Sequence, residues 1–354
     1  MRELVVLSGK GGTGKTSVVA AFASLAQNKV LADCDVDAAD LHLVLEPAIV
    51  ERHEFRAGHE AIILQESCLG CGLCLTYCRF GAVLQMSGAE EEPVYQVAAA
   101  NCKDCSFCVR SCPVKSIDLI IAMREACGET NKSLYFIDPL ACEGCGVCVD
   151  ACPSHAIDFP ERVAGEWYLS ETRHGPMVHA RLGIAAENSG KLVSVVREQA
   201  RRIAEERDCH MILTDGPPGI GCPVIATLTG ASLVLIITEP TLSGQHDLER
   251  VAELARHFGV PALVCVNKWD LNPAVCGTIE HSAAALNVRP VGRIRYDRAV
   301  TAAQVAGKNV LEFTKKGAAD DIRNLWKNIA QILESADGGV EPSFVTEDSG
   351  EICY

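Results

Sequence analysis

The residues from Gly9 to Thr16 constrain the fold of this chain more than any other stretch. They read G-K-G-G-T-G-K-T, follow the apolar run Leu4 to Leu7, and precede the helix-compatible run Ser17 to Ala26. A strand, a glycine-rich turn and a helix in this order predict a phosphate-binding loop, whose backbone N–H groups point at phosphate oxygens. Lys15 then supplies a positive charge, and the Thr16 hydroxyl is placed to bind Mg²⁺.

The remaining residues of this phosphate loop are expected to hold the nucleotide mainly through their backbone. They are Gly9, Gly11, Gly12, Thr13 and Gly14. Three of these glycines also spell G-x-G-x-x-G, with Asp33 following at about the distance that a dinucleotide-binding fold requires. Because a dinucleotide site has no use for the Lys-Thr pair, a nucleoside triphosphate is favoured, and a purely structural glycine turn is the third reading.

Two later apolar strands end in aspartates. Val30 to Ala32 leads into Asp33-Cys34-Asp35, and Met211 to Thr214 leads into Asp215, which is followed by G-P-P-G. An α/β sheet places its ligand chemistry at the carboxyl ends of strands beside such a loop. We expect Asp215 to hold the Mg²⁺ shell and the glycines after it to form a switch loop that senses the γ-phosphate.

Cysteines interrupt this pattern between about Ile62 and Phe159. The chain has 19 cysteines, and three runs have the spacing C-x2-C-x2-C-x3-C. This spacing is typical of [4Fe-4S] ferredoxins, in which three thiolates of a run bind one cube and the fourth serves the other cluster of a two-cluster domain. The runs are Cys68, Cys71, Cys74 and Cys78; Cys102, Cys105, Cys108 and Cys112; and Cys142, Cys145, Cys148 and Cys152.

Zinc is the alternative metal, but a structural zinc site needs one quartet, usually as two separated C-x2-C pairs. The first and third runs look like the two halves of one ferredoxin domain, and the middle run looks like a module inserted between them. We therefore predict two clusters from the outer runs and a third from the middle run. Arg79 stands where a proline usually follows the last cysteine of a run.

Charge and hydropathy limit the possible partners. The formal net charge is −14, which disfavours nucleic acid, because binding to its phosphates depends on Lys and Arg. No stretch approaches eighteen apolar residues, and the N-terminus enters a strand at once, so we expect a soluble cytoplasmic protein. The acidic tail, residues 337–354, lacks the basic amphipathic helix of a membrane-binding protein.

Lys10 makes the loop resemble the deviant phosphate loop of the MinD/ParA family, which includes the nitrogenase iron protein and the Mrp-type iron-sulfur carriers. In that family this lysine reaches the partner's nucleotide across a dimer interface. The resemblance implies an ATP-binding homodimer with Lys10 contributing in trans, and a solvated loop lysine is the alternative.

The same resemblance assigns further roles. Asp33 and Asp35 match the D-x-D of the family, which implies that Asp33 lies near Mg²⁺ and Asp35 orients the attacking water. Asn267, in N-K-W-D, resembles the N-K-x-D element and is implied to face adenine, with guanine recognition as the alternative. Cys222 lies near the switch loop, where relatives use a cysteine to hold a cluster between subunits, although a buried apolar role is the first expectation.

The implied fold is α/β, a doubly wound, mostly parallel sheet P-loop NTPase with an inserted α+β ferredoxin-like iron-sulfur module. Predicted boundaries are 1–60 and 163–336 for the ATPase, 61–162 for the insert and 337–354 for a flexible tail. The residues expected to be catalytic are Lys10, Lys15, Asp35 and Asp215.

The implied function is a dimeric iron-sulfur protein that hydrolyses MgATP. It would couple hydrolysis to electron transfer, or to metal-cofactor or cluster maturation, on a partner such as a redox enzyme or cofactor acceptor. One alternative is a MinD/ParA-like positioning or scaffold ATPase with structural or redox-sensing clusters. Another is an amidoligase resembling cobyrinic acid synthases, for which the sequence offers no glutaminase domain.

Overall fold

The computed structural model describes residues 1–86, 134–138, 141–183 and 189–335. They form two compact units. The first contains residues 1–53 and 166–182 together with the chain from 189 onward, and the second lies mainly within residues 54–165. The middle cysteine run, Cys127 and the acidic tail lie outside the described residues.

The strands and helices of the described residues are as follows. In chain order the strands are β1 (Arg2–Ser8), β2 (Lys29–Asp33), β3 (Ala48–His59), β4 (Ile62–Ile63), β5 (Val83–Met86), β6 (Leu134–Ile137), β7 (Ile157–Asp158), β8 (Glu161–Thr172), β9 (Gly175–Leu182), β10 (Met211–Pro218), β11 (Leu233–Thr238), β12 (Ala262–Asn267) and β13 (Arg289–Ile294). The helices are α1 (Lys15–Leu25), α2 (Leu41–Leu45), α3 (Leu73–Tyr77), α4 (Val147–Ala151), α5 (Ser189–Glu206), α6 (Cys222–Leu228), α7 (Leu242–His257), α8 (Pro273–Ala285), α9 (Arg298–Val305), α10 (Val310–Phe313) and α11 (Ala318–Ser335).

The large sheet has the strand order β13-β12-β11-β1-β10-β2-β9-β8-β3. Every pairing from β13 to β9 is parallel. Parallel strands need helical crossovers, which cover both faces of the sheet and explain why β1 and β2 are apolar on both sides. The predicted doubly wound α/β fold is therefore confirmed.

Strand β1 shows how the two faces are filled. Leu4 and Val6 point into a core that also contains Phe22 of α1 and Ile322 of α11. Val5 and Leu7 point into the opposite core, which is closed by side chains of α7 and α8. Successive side chains of a strand alternate between faces, so a fully apolar strand supplies both cores at once.

The strand order also brings the predicted site residues together. Strand β10 lies between β1 and β2, with Asp215 in register with Val6 on one side and with Asp33 on the other. The phosphate loop leaves the end of β1 at Ser8. Because all three strands are parallel, the loop and both aspartates lie at the same edge of the sheet.

The second unit has two antiparallel two-stranded sheets, β4 with β7 and β5 with β6. Its short helices α3 and α4 each begin after a glycine in the left-handed region, Gly72 with φ 70° and Gly146 with φ 76°. Residues 68–83 and 142–157 thus repeat one local pattern, as the two halves of a ferredoxin domain do.

Two of the points at which the chain passes between the units lie inside strands. They fall at 53/54 within β3 and at 165/166 within β8, near the predicted boundaries at 60/61 and 162/163. A continuous strand shows no change of composition at such a point. None of the helices in the described ranges combines the length and apolar character needed to cross a bilayer.

Candidate functional site

The phosphate loop takes its shape from two glycines with left-handed backbone angles, Gly12 at φ 79° and Gly14 at φ 88°. Gly14 caps α1, which begins at Lys15. A Cβ added at Gly14 would lie 2.4 Å from Asn267 Nδ2, and one added at Gly9 would lie 2.3 Å from Asp247 Cβ. Gly9 has no room for a side chain because α7 packs against it. Gly14 must be glycine both because its φ is positive and because a side chain there would collide with Asn267.

Lys15 lies buried among aspartates from neighbouring strands. Its Nζ donates to Asp215 Oδ1 at 2.7 Å and to Asp35 Oδ2 at 3.3 Å. Burial alone would lower the pKa of this ammonium, but the charges of Asp215 and Asp35 outweigh burial and the pKa is raised. Lys15 is therefore firmly charged and is placed at the start of α1, where phosphates are bound.

The buried cluster around Lys15 contains more carboxylates than ammonium groups. Asp33 is fully buried, and its Oδ1 accepts the Asp35 N–H at 3.2 Å. The second oxygens of Asp33 and Asp215 are buried and have no hydrogen-bond partner among the described residues. Burial, reinforced by the charge of Asp215, raises the pKa of Asp33 well above its usual range, and burial also raises the pKa of Asp35.

Unpartnered carboxylate oxygens beside a phosphate loop fit a hard divalent cation such as Mg²⁺. In the described ranges no three His, Cys, Asp or Glu side chains converge on one metal position. Mg²⁺ does not require such a cage, because it usually binds through one or two carboxylates together with phosphates and water. Half-buried Thr16 directly follows Lys15, and the buried Thr13 hydroxyl has no hydrogen-bond partner in the part of the chain that the structure describes.

The ammonium group of Lys10 contacts side chains of its own chain. Its Nζ donates to Ser243 Oγ at 3.3 Å and lies 3.5 Å from Glu239 Oε2, and the side chain is 34% exposed. Glu239 also forms an ion pair with Lys268, whose Nζ donates to the carbonyl of Gly12 at 3.3 Å. Glu239 therefore forms ion pairs with two lysines beside the loop, and no local sequence signal pointed to it.

Asn267 supports the phosphate loop directly. Its Nδ2 donates to the carbonyl of Thr13 at 2.7 Å, and its Oδ1 accepts the backbone N–H of Lys268 at 2.9 Å. The sequence assigned Asn267 to base recognition. One amide hydrogen remains for that role, because Nδ2 carries two.

The first and third cysteine runs line two separate spaces in the second unit. One space is bordered by Cys68, Cys71 and Cys74 together with Cys152. The other is bordered by Cys142, Cys145 and Cys148 together with Cys78. Each run thus supplies three thiols to one space and its last thiol to the other, as predicted for the halves of a two-cluster domain.

The chemistry of these spaces fits iron-sulfur clusters better than zinc. A structural zinc ion needs four ligands within about 2.3 Å of one point, and the described cysteines form no such group. A cube instead takes one thiolate at each iron corner, so its ligands stand further apart. Burial raises the pKa of Cys74 to about 12 and also raises the pKa values of Cys71 and Cys148, so these thiols need a metal's charge to ionise.

Cys222 and two histidines of the β8–β9 region take exposed or structural positions. Cys222 is exposed at the start of α6, which contradicts the expectation of a buried residue. His179 Nε2 lies 2.9 Å from Ser170 Oγ, and His174 Nε2 lies 3.2 Å from Glu312 Oε1. Both histidines thus have partners in the part of the chain that the structure describes.

Family comparisons agree with the cysteine pattern. A 4Fe-4S dicluster domain family matches residues 61–123, and a second 4Fe-4S dicluster domain family matches residues 101–156. Each match covers two consecutive runs, whereas the structure joins the first run to the third.

Relatives and solved structures extend the likeness over most of the chain. The chain is 29% identical over 276 residues to the uncharacterized protein MJ0578 of Methanocaldococcus jannaschii, covering 76% of this chain and 79% of that protein. Its structure is similar to the cell division ATPase MinD of Pyrococcus furiosus, with a TM-score of 0.50, 16% identity, and coverage of 94% of this chain and 99% of that chain. The septum site-determining protein MinD of Pyrococcus horikoshii, solved with Mg-ADP, gives a TM-score of 0.50, 15% identity, and coverage of 94% and 97%.

At this identity the structural likeness establishes the fold, and the cysteine matches establish the nature of the insert. The chain therefore has the P-loop ATPase fold of the MinD/ParA proteins, interrupted by a 4Fe-4S dicluster segment.

Proposed function

We propose that this chain binds and hydrolyses MgATP at the phosphate loop. The observation that carries the proposal is the buried Lys15 ammonium, held between Asp215 and Asp35 at the start of α1. A lysine placed there can exchange carboxylates for the β- and γ-phosphates, and the loop N–H groups can bind their oxygens. The Mg-ADP in the P. horikoshii MinD structure supports the same ligand class.

The aspartates take complementary roles in this proposal. Asp33 and Asp215 have unpartnered oxygens for the Mg²⁺ shell, with the Thr16 hydroxyl as the further ligand. The metal supplies charge neutralisation at the phosphates. Asp35 loses its lysine partner when Lys15 turns to the phosphates, and it then accepts a hydrogen bond from the attacking water and orients it.

Lys10 is the residue through which hydrolysis would depend on a second copy of the chain. Within one chain it is bound by Ser243 and Glu239, and neither contact is deeply buried. In the proposed homodimer Lys10 leaves these partners and contacts the nucleotide of the other subunit. Each active site would then require both copies.

We further propose that the nucleotide state controls the iron-sulfur clusters, in electron transfer or in cofactor or cluster maturation on a partner protein. Two four-cysteine spaces in one chain with a phosphate loop support this coupling. The second candidate is a positioning or scaffold ATPase with structural or redox-sensing clusters, favoured by the structural likeness to a cell division ATPase.

Paired variants test whether the nucleotide site and the cluster-binding cysteines can be disrupted independently. Lys15→Ala should abolish ATP hydrolysis while leaving the iron content and the visible spectrum of anaerobically purified protein unchanged. Cys145→Ala should reduce the iron content while the chain still binds nucleotide. Hydrolysis that persists in Lys15→Ala would contradict the proposed site, and loss of both properties from either change would indicate a folding defect.

A further inference from the structure

The iron-sulfur unit contains two halves whose backbones match residue by residue. Gly70 and Gly144 both adopt left-handed angles, with φ 70° and 62°. After the last cysteine of each run, Gly81 and His155 do so again, with φ 65° and 50°. The stretch Cys78-Arg79-Phe80-Gly81-Ala82 therefore corresponds to Cys152-Pro153-Ser154-His155-Ala156.

The two halves differ in the hydrogen bonds that the sulfur of their last cysteine accepts. Cys152 Sγ lies 3.7 Å from Ser154 Oγ and accepts the backbone N–H of Ala156 at 3.3 Å. The position of Ser154 is taken in the other half by Phe80, which is 48% exposed. Within the described residues no side chain donates to Cys78 Sγ.

This difference falls on one of the two cysteine-lined spaces. Cys152 borders the space of Cys68, Cys71 and Cys74, and Gly70 N–H also donates to Cys68 Sγ at 3.4 Å. Cys78 borders the other space. When Cys152 is a thiolate it can only accept, so the Ser154 hydroxyl must be the donor.

A donor aimed at a ligand sulfur stabilises negative charge there. Reduction of a [4Fe-4S] cluster from the 2+ to the 1+ state adds one electron, with no bond made or broken. The hydrogen bond therefore favours the reduced state and raises the reduction potential. A phenyl ring offers no such donor.

We propose that Ser154 is a tuning residue that raises the reduction potential of the cluster bound by Cys68, Cys71, Cys74 and Cys152, and of that cluster alone. The two clusters of one chain then hold electrons at different potentials. This inference rests on the proposed function only in requiring that both clusters be present.

Potentiometric titration with dithionite under anaerobic conditions, followed by EPR, tests the assignment. Ser154→Ala should move one titration wave to a more negative potential and leave the remaining waves in place. Ser154→Thr keeps the hydroxyl and should restore the wave toward its original position. The exposed Phe80→Ser change places a hydroxyl at the matching site, and it should move a different wave to a more positive potential.

Iron and sulfide content, measured on every variant, separates the possible outcomes. Unmodified protein that holds no clusters would contradict the proposed function. Full iron content with unchanged waves in Ser154→Ala would overturn the role of Ser154 while leaving cluster binding intact. A single wave that responds to both Ser154→Ala and Phe80→Ser would overturn its restriction to one cluster.

Discussion

Lys15 and Asp215 are separated by 200 residues of sequence, yet Lys15 Nζ lies 2.7 Å from Asp215 Oδ1 in the interior of the first unit. The contact exists because β1 and β10 are neighbouring parallel strands, so that the loop after one meets the end of the other. It places the only ammonium described in this carboxylate cluster where a phosphate would bind. Four predictions concern the residues around this contact and the sheet that supports it.

The first concerns Asp33 and pH. Because burial and Asp215 raise its pKa, folded nucleotide-free protein holds a proton on Asp33 at pH values where the unfolded chain has released it. The contribution of Asp33 to the free energy of unfolding should therefore fall as pH rises above about 4. Asp33→Asn should reduce this slope, as measured by chemical denaturation between pH 4.5 and 8. Equal slopes in both proteins would contradict a protonated Asp33.

The second concerns the glycines of the phosphate loop. Gly14→Ala should destabilise the protein by about 1–3 kcal/mol and weaken nucleotide binding, because the residue has φ 88° and its new Cβ would collide with Asn267. Gly11→Ala is the matched control for folding, since its Cβ would meet nothing within 4 Å. Thermal unfolding and binding of a fluorescent ATP analogue measure both effects. Equal unfolding temperatures for the two variants would refute the proposed collision.

The third concerns the contact that holds Lys10 in its own chain. Glu239→Gln removes the charge that retains Lys10, so ATP-dependent dimerisation should strengthen by up to about 1 kcal/mol, or about fivefold. Sedimentation analysis with a non-hydrolysable ATP analogue measures this change. Glu280→Gln, which removes the partner of the Arg293 side chain, should have no effect on dimerisation. A weaker dimer in Glu239→Gln would show that Glu239 serves the interface itself.

The fourth concerns the hairpin of β8 and β9. Burial lowers the pKa of His179 to about 4, so the folded protein keeps this ring neutral while the unfolded chain takes up a proton near pH 6.5. The contribution of His179 to stability should fall by roughly 3 kcal/mol as pH drops from 7 to 4. His179→Gln should remove most of that fall, whereas the more exposed His53→Gln should not. A fall of the same size in both variants would contradict this source of the pH dependence.

Much of this architecture follows from local sequence. Three patterns predicted local structure because each depends on residues that are close together in sequence. They are the spacing from Gly9 to Thr16, the aspartates that end apolar strands, and the spacing of the cysteine runs. The exchange of Cys78 and Cys152 between two spaces followed from the ferredoxin pattern in the same way.

Other features depend on residues that the fold alone brings together. Glu239 contacts Lys10 only because β11 lies beside β1, and nothing near either residue signals the pairing. The support that Asn267 gives to Thr13, and the exposure of Cys222, likewise depend on how helices and loops pack. The unit boundaries at 53/54 and 165/166 lie inside β3 and β8, where a continuous strand carries no linker composition.

Coupling between nucleotide and clusters is the central claim, and one measurement tests it most directly. Protein purified without oxygen should be titrated by EPR with and without MgATP, after iron and sulfide quantitation. About twelve irons per chain, from three cysteine runs at four each, with spectra or potentials that change on adding MgATP, is the expected result. Titrations that coincide in the presence and absence of MgATP would contradict coupling and favour a scaffold ATPase with structural clusters.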